Sequence, residues 1–130
     1  MIATSKLQKA MRDITATKGA FTLFGLFMRA DAPGTWDLVV SAPWLEKGKL
    51  KALGEFAEML AKAIGQSSLQ QLSRIVTVNE NDPALNAVLS AFSVDDGAVR
   101  IQRSNLFGLE IEDAIIFRAR RPAGTPEGAA

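Results

Sequence analysis

AFTLFGLFMRADAPGTWDLVVSAP, residues 20–43, reads as two long apolar strands joined by a tight turn, and the fold follows from that reading. Ala32-Pro33-Gly34-Thr35 sets a proline of fixed φ before a glycine that accepts positive φ, as a type II turn requires. Phe21 to Met28 is apolar on both alternating faces except at Thr22 and Gly25, so this strand should lie inside a sheet that is covered on both sides. In the second strand Trp36, Leu38, Val40 and Ala42 share one face, and Asp37, Val39 and Ser41 share the other. A lone hairpin is marginal in water, so the remaining chain must add strands and covering helices.

Working outward, Thr4 or Ser5 caps a first helix whose Leu7, Ala10, Met11 and Ile14 recur at helical spacing, and Gly19 ends it. On the other side a second helix is expected over about residues 49–64. Leu50, Leu53, Ala57, Leu60 and Ile64 form one apolar row there, and Ala52, Phe56, Met59 and Ala63 a second. So wide a face asks for two things to pack against, the sheet and a neighbouring helix or a partner subunit, and Phe56, Met59 and Ala63 are the candidate interface residues. Ser67 to Leu72 adds a short turn, and Ile75 to Val78 reads as a third strand. Asn81 or Asp82 caps a helix that starts at Pro83 and buries Leu85, Val88, Leu89 and Phe92.

A closing hairpin follows. Val99 and Ile101 alternate with Arg100 and Gln102, and a Ser104-Asn105 loop leads to a strand from about Leu109 to Arg120. Its parity puts Leu109, Ile111, Ile115, Phe117 and Ala119 on one face, with Glu110, Glu112, Arg118 and Arg120 on the other. A loop centred near Leu106 would set Arg100 opposite Glu112 and Gln102 opposite Glu110. Asp113 falls on the apolar face, so a bulge or a partner such as Arg103 is expected for it.

The fold class is therefore α+β with α/β-like layers: a mixed five-stranded sheet built from two hairpins and a central strand, covered by three to four helices. Residues 1–121 are read as one globular domain and 122–130, RPAGTPEGAA from Arg121 on, as a disordered tail. The third strand should run parallel to the second and the fourth parallel to the third. Their carboxyl ends would then share one rim, where open sheets tend to hold ligands. That rim would gather Ser41, Trp44, Lys47, Asn79, Glu80, Asp82, Arg103 and Asn105, of which all but Ser41 form the candidate ligand-binding set. Turn and cap preferences alone account for Asn79 to Asp82, and Trp44 reads more naturally as a lid on the core. The hairpin's turn end, with Arg29, Asp31 and Asp37, is assigned to stability and solubility.

Composition narrows the chemistry. The chain has no Cys, His or Tyr, so thiolate and imidazole chemistry are excluded and a metal site would need oxygen ligands only. Fifteen basic against 14 acidic residues give no global field for nucleic acid or an anionic membrane. Asp37 and Glu46 stand at opposite ends of one strand, too far apart to share an ion, and Glu110, Glu112 and Asp113 fit a salt-bridged face better than a metal centre. No phosphate-loop, dinucleotide-binding or nucleophile-elbow pattern occurs. The first residues lack the apolar run of a signal peptide and no segment reaches the roughly 20 apolar residues of a membrane span, so a cytoplasmic location is expected. No catalytic residue, cofactor or metal is assigned.

The leading expectation is a non-enzymatic protein-interaction module that forms a homodimer, because the wide apolar face of the second helix invites self-association. The alternatives are a small-ligand binder or carboxylate-based divalent-metal hydrolase using the rim, and nucleic-acid binding through Arg100, Arg103, Arg118, Arg120 and Arg121, which Glu110 and Glu112 interrupt.

Overall fold

The computed structural model describes residues 4–122. In chain order it contains α1 (Thr4–Lys18), β1 (Leu23–Arg29), β2 (Trp36–Ser41), α2 (Pro43–Ile64), α3 (Gln66–Leu69), β3 (Leu72–Thr77), α4 (Pro83–Ala91), β4 (Val99–Leu106) and β5 (Leu109–Ala119). The tail expected over 122–130 lies, but for Pro122, outside the described residues. The strands form one open mixed sheet in the order β3-β2-β1-β5-β4, an α+β architecture with four helices.

The opening hairpin forms as its turn chemistry requires. Gly34 adopts φ +85°, the Thr35 N–H donates to the Ala32 carbonyl at 3.4 Å, and Leu26 pairs with Leu38 across the antiparallel ladder. β1 is the middle strand and is buried on both faces, which explains its lack of polar alternation. One face carries Phe24, Leu26, Leu38, Val40, Ile115 and Phe117 under α1 and α2. The other carries Leu23, Phe27, Val39, Ile111, Ala114 and Ile116 and is covered by the nine-residue α4 through Leu85 and Val88, with Val94 and Phe107 from the flanking segments.

Several expectations are corrected. β3 does run parallel to β2, but it occupies one edge of the sheet while β4 occupies the other. β4 pairs antiparallel with β5, β5 with β1 and β1 with β2, so β4 runs against β3 and its carboxyl end lies on the opposite rim. The second hairpin docks on the free edge of β1, where β5 pairs with the whole strand from Leu23 to Arg29. α2 begins six residues early, with Pro43 in its first turn, and breaks at Lys49, where φ is 54° and ψ −135°. A methyl group on Gly48 would stand 2.5 Å from the Ala52 Cβ, so the break needs glycine beside it.

The closing hairpin turns later than its polar residues suggested. Phe107 and Gly108, both at positive φ, make a two-residue turn between the paired Leu106 and Leu109, as in a type I′ hairpin. Gln102 therefore faces Asp113 and Arg100 faces Ile115, not the expected glutamates. The register of β5 against β1 shifts twice, adding a residue near Glu112 and another near Phe117. Each bulge reverses side-chain parity, so Ile115 and Phe117 face α1 and α2 whereas Ile111, Ala114, Ile116 and Ala119 face α4. Asp113 is buried beside the first bulge and takes Arg100, one diagonal step away, as its partner, with Nε 3.1 Å from Oδ1.

Candidate functional site

The expected rim separates into parts. Trp44, in the first turn of α2, lies over the core: its indole N–H donates to the Gly19 carbonyl at 3.0 Å and its ring meets Phe21 edge-on at 5.4 Å. Lys47 is exposed on the same turn, and Arg103 and Asn105 stand at the far end of the sheet with Glu110 and Glu112. Glu80 is drawn inward, with its side chain 12% exposed. Its Oε1 accepts from the Thr22 hydroxyl at 2.7 Å, and the Ser41 hydroxyl is shared between its Oε2 and the Val78 carbonyl. Arg121 approaches the same carboxylate at 3.6 Å and donates to the Glu80 carbonyl, while the Glu80 N–H donates to Glu46. Glu80 thus ties β1, β2, the turn before α4 and the segment after β5 together. Both of its oxygens are occupied, which makes it a clasp.

The second helix also changes its meaning. Phe56 is completely buried and packs edge-on to Phe21 at 5.8 Å, Met59 rests against the same core, and Ala63 is exposed. The wide apolar face is consumed by the sheet and α1, so Phe56 is not available to a partner. Of the large side chains in the apolar rows, Leu50, just past the break at Lys49, stands far out, at 84% exposure.

The arginines of the final hairpin are largely engaged. Arg100 pairs with Asp113, Arg118 and Arg120 with Asp95, and Arg121 with Glu80. Burial is the main effect that lowers the pKa of Arg118, whose Nε donates to the Phe21 carbonyl at 2.8 Å. Among the described residues no group of three or more acidic side chains could hold a metal ion.

A candidate site lies on the thinly covered face. α4 shields only part of it, and beside α4 a groove of about 300 Å³ remains, close to the lower limit for small-molecule cavities. Phe27, Val39, Val76 and Ile111 line its apolar part, together with Phe107 and Leu109 from the hairpin turn. The left-handed φ of Phe107 is rare for so bulky a residue, and its ring packs edge-on against Phe27 at 5.7 Å.

The groove carries polar groups at both ends, Asp37 and Arg74 at the start of β2 and β3 and Asn79 and Asp82 past the carboxyl end of β3. Phe27, Asp37 and Arg74 are consecutive neighbours across β1, β2 and β3, so Asp37 and Arg74 project on the same side. Arg29 Nε and Arg74 Nε approach a single oxygen of Asp37, Oδ2, at 3.2 and 3.1 Å. The other oxygen, Oδ1, is buried and accepts no hydrogen bond. Asn79 and Asp82 line the groove from the turn before α4, and Asp82 Oδ1 also caps that helix by accepting from the Ala84 N–H at 2.9 Å.

No family model, curated protein or solved structure matches this chain.

The rim residues Asn79 and Asp82 therefore meet, within one groove, the turn-end residues Arg29 and Asp37 that the sequence reading had set apart. A signal for them existed. Asp37 shares a strand face with Val39 in a hairpin predicted to be buried on both sides, and a carboxylate there demands a cationic partner. Arg74, just before the β-branched run of β3, was the missing half.

Proposed function

We propose that the protein is a binding module without catalytic chemistry, and that it holds a small ligand in the groove between α4 and the Phe107 turn. The observation that carries this reading is the groove itself: an apolar lining from Phe27, Val39, Val76, Phe107 and Ile111 beside the ion cluster of Asp37, Arg29 and Arg74. An apolar lining with a few convergent polar groups is the usual make-up of a ligand site. The lining offers neither serine nor lysine, and each of its two carboxylates already serves a guanidinium pair or a helix cap, which favours holding a ligand over transforming one.

The test is a thermal-shift screen with small organic acids, amides, alcohols and amines. A ligand at 100 times its dissociation constant should stabilise the protein by about 2.7 kcal/mol. Substituting Val39→Trp fills the groove and should abolish the shift. A panel that leaves the melting temperature unmoved sinks the reading.

A second reading, self-association, is favoured by Leu50, which stands exposed beside a further groove of about 260 Å³ lined by Leu45, Leu53 and Val78. Light scattering at micromolar concentration decides it, since a clean 14.0 kDa mass removes it.

A further inference from the structure

We infer that a second copy of this chain docks on the free edge of β3, strand against strand and antiparallel, with Val76 of each copy on a two-fold axis, so that two five-stranded sheets join into one. The inference rests on the self-association reading and names the surface and register that association uses. Three observations converge on it.

The first is a contrast between the two edges of the sheet. β4 guards its edge: Arg103 interrupts the strand at φ 50°, and Arg100, Gln102, Arg103 and Asn105 stand exposed along it. β3 is unguarded. Its register on β2 runs without a break from Arg74 to Thr77, none of its residues has a positive φ, and its one charged side chain, Arg74, is tied to Asp37 on the α4 face. The second observation concerns the backbone. The Val78 N–H donates to the Val40 carbonyl, so by alternation Val76 and Val78 turn their peptide groups toward β2 while those of Ile75 and Thr77 face outward. Among the described residues β3 pairs with β2 alone, which leaves these outward groups without a backbone partner. With Val76 on the axis, Ile75 of each copy faces Thr77 of the other, and each such couple closes two N–H to carbonyl bonds. Val76 then meets its own counterpart in the close position of the ladder, with Cα atoms about 4.5 Å apart.

The third observation is charge. Arg74 and Asp82 line opposite ends of the groove that follows β3 on the α4 face, so charge reverses along this edge. An antiparallel copy in this register sets Arg74 opposite Val78, beside Asn79 and Asp82, and does so twice, whereas a parallel strand would set each charge beside its like. On the α2 face the same register puts Ile75 opposite Thr77, which lines one groove with the exposed Leu50. Phe27, Val39 and Ile111, the floor of the ligand groove, belong to inner strands and stay where they are.

The experiment is sedimentation equilibrium of the full chain at micromolar concentration. The wild type should weigh twice 14.0 kDa. Val76→Lys and Val76→Asp each set like charges against themselves across the axis and should weaken the dimer at least tenfold, while an equimolar mixture of the two variants should regain the dimer mass. In the wild type, amide exchange at Ile75 and Thr77 should slow as concentration rises through the transition, with β4 unchanged; this readout needs no variant. A wild type that stays at 14.0 kDa removes self-association and the pairing together. Three results overturn the β3 edge and leave self-association to another surface: a dimer that survives Val76→Lys, a mixture that stays monomeric although both variants keep dispersed amide spectra, or exchange at Ile75 and Thr77 that ignores concentration in a dimerising wild type.

Discussion

Truncating Phe56 to alanine distinguishes a core role for α2 from an interface role. Phe56 has no exposed surface and lies edge-on to Phe21 at 5.8 Å and to Trp44 at 6.2 Å, so its removal leaves a ring-sized hole where three aromatic side chains meet. Phenylalanine-to-alanine changes at such sites cost about 3–5 kcal/mol, since the lost transfer free energy is joined by that of a cavity the surroundings only partly close. Against a total stability of about 5–15 kcal/mol this is a large share. In urea, with a slope of about 1.5 kcal/mol per molar, the midpoint should fall by about 2–3 M. Trp44 touches the hole, so fluorescence reports the transition directly. Phe56→Leu should lose less. A fall in stability below about 1 kcal/mol, accompanied by a fall in mass on light scattering, would refute the argument, because it would mean that the ring meets solvent or a second chain before it meets the core.

Three further outcomes follow from particular contacts. Asp96 is held below the ordinary carboxylate range chiefly by the bond from Arg12, then by that from Gln8, and Glu55 likewise by Lys18. A depressed folded pKa stabilises fully above the unfolded value of about 4 and is lost as pH falls through the folded value, so Asp96→Asn should flatten the acid limb of a urea-midpoint profile. Because these pairs are exposed the effect is small and should shrink in salt; an unchanged profile argues against them. Lys49→Gly removes a side chain from φ 54°, ψ −135° and should gain about 1 kcal/mol, which a lower urea midpoint would contradict. Gly25→Ala would place a methyl 3.0 Å from the Ile115 carbonyl oxygen and 3.1 Å from Phe27 in the middle strand; it should cost about 1–3 kcal/mol, and a neutral result would show that the sheet gives way there.

Local chemistry made much of this fold legible. Pro33-Gly34 identified the first hairpin, and Asp82-Pro83 identified the start of α4 down to the capping oxygen. What escaped were features set by pairing between distant segments. The two bulges of β5 are invisible to a parity count, which put Ile111 and Ile115 on one face when they lie on opposite faces. The Phe107-Gly108 turn was hidden because phenylalanine rarely accepts positive φ, so the polar Ser104-Asn105 pair drew attention three residues too early. The groove escaped for the same reason: Arg74 meets Asp37 only once β3 is known to pair with β2 in that register, and Phe107 closes it only once the turn is placed.

The position of β1 also bears on how the chain reaches this state. Its two neighbours are very unequally distant in sequence: β2 follows after one turn, whereas Leu23 must wait for Ala119. Pairings of such long range slow folding, because a large loop has to close before it is rewarded. During synthesis, therefore, the most apolar strand of the protein keeps one backbone edge bare until β5 has left the ribosome. Such an edge recruits other strands. The interval before β5 arrives is when this protein is most exposed to aggregation, and a chain cut short before residue 109 should leave that edge open permanently.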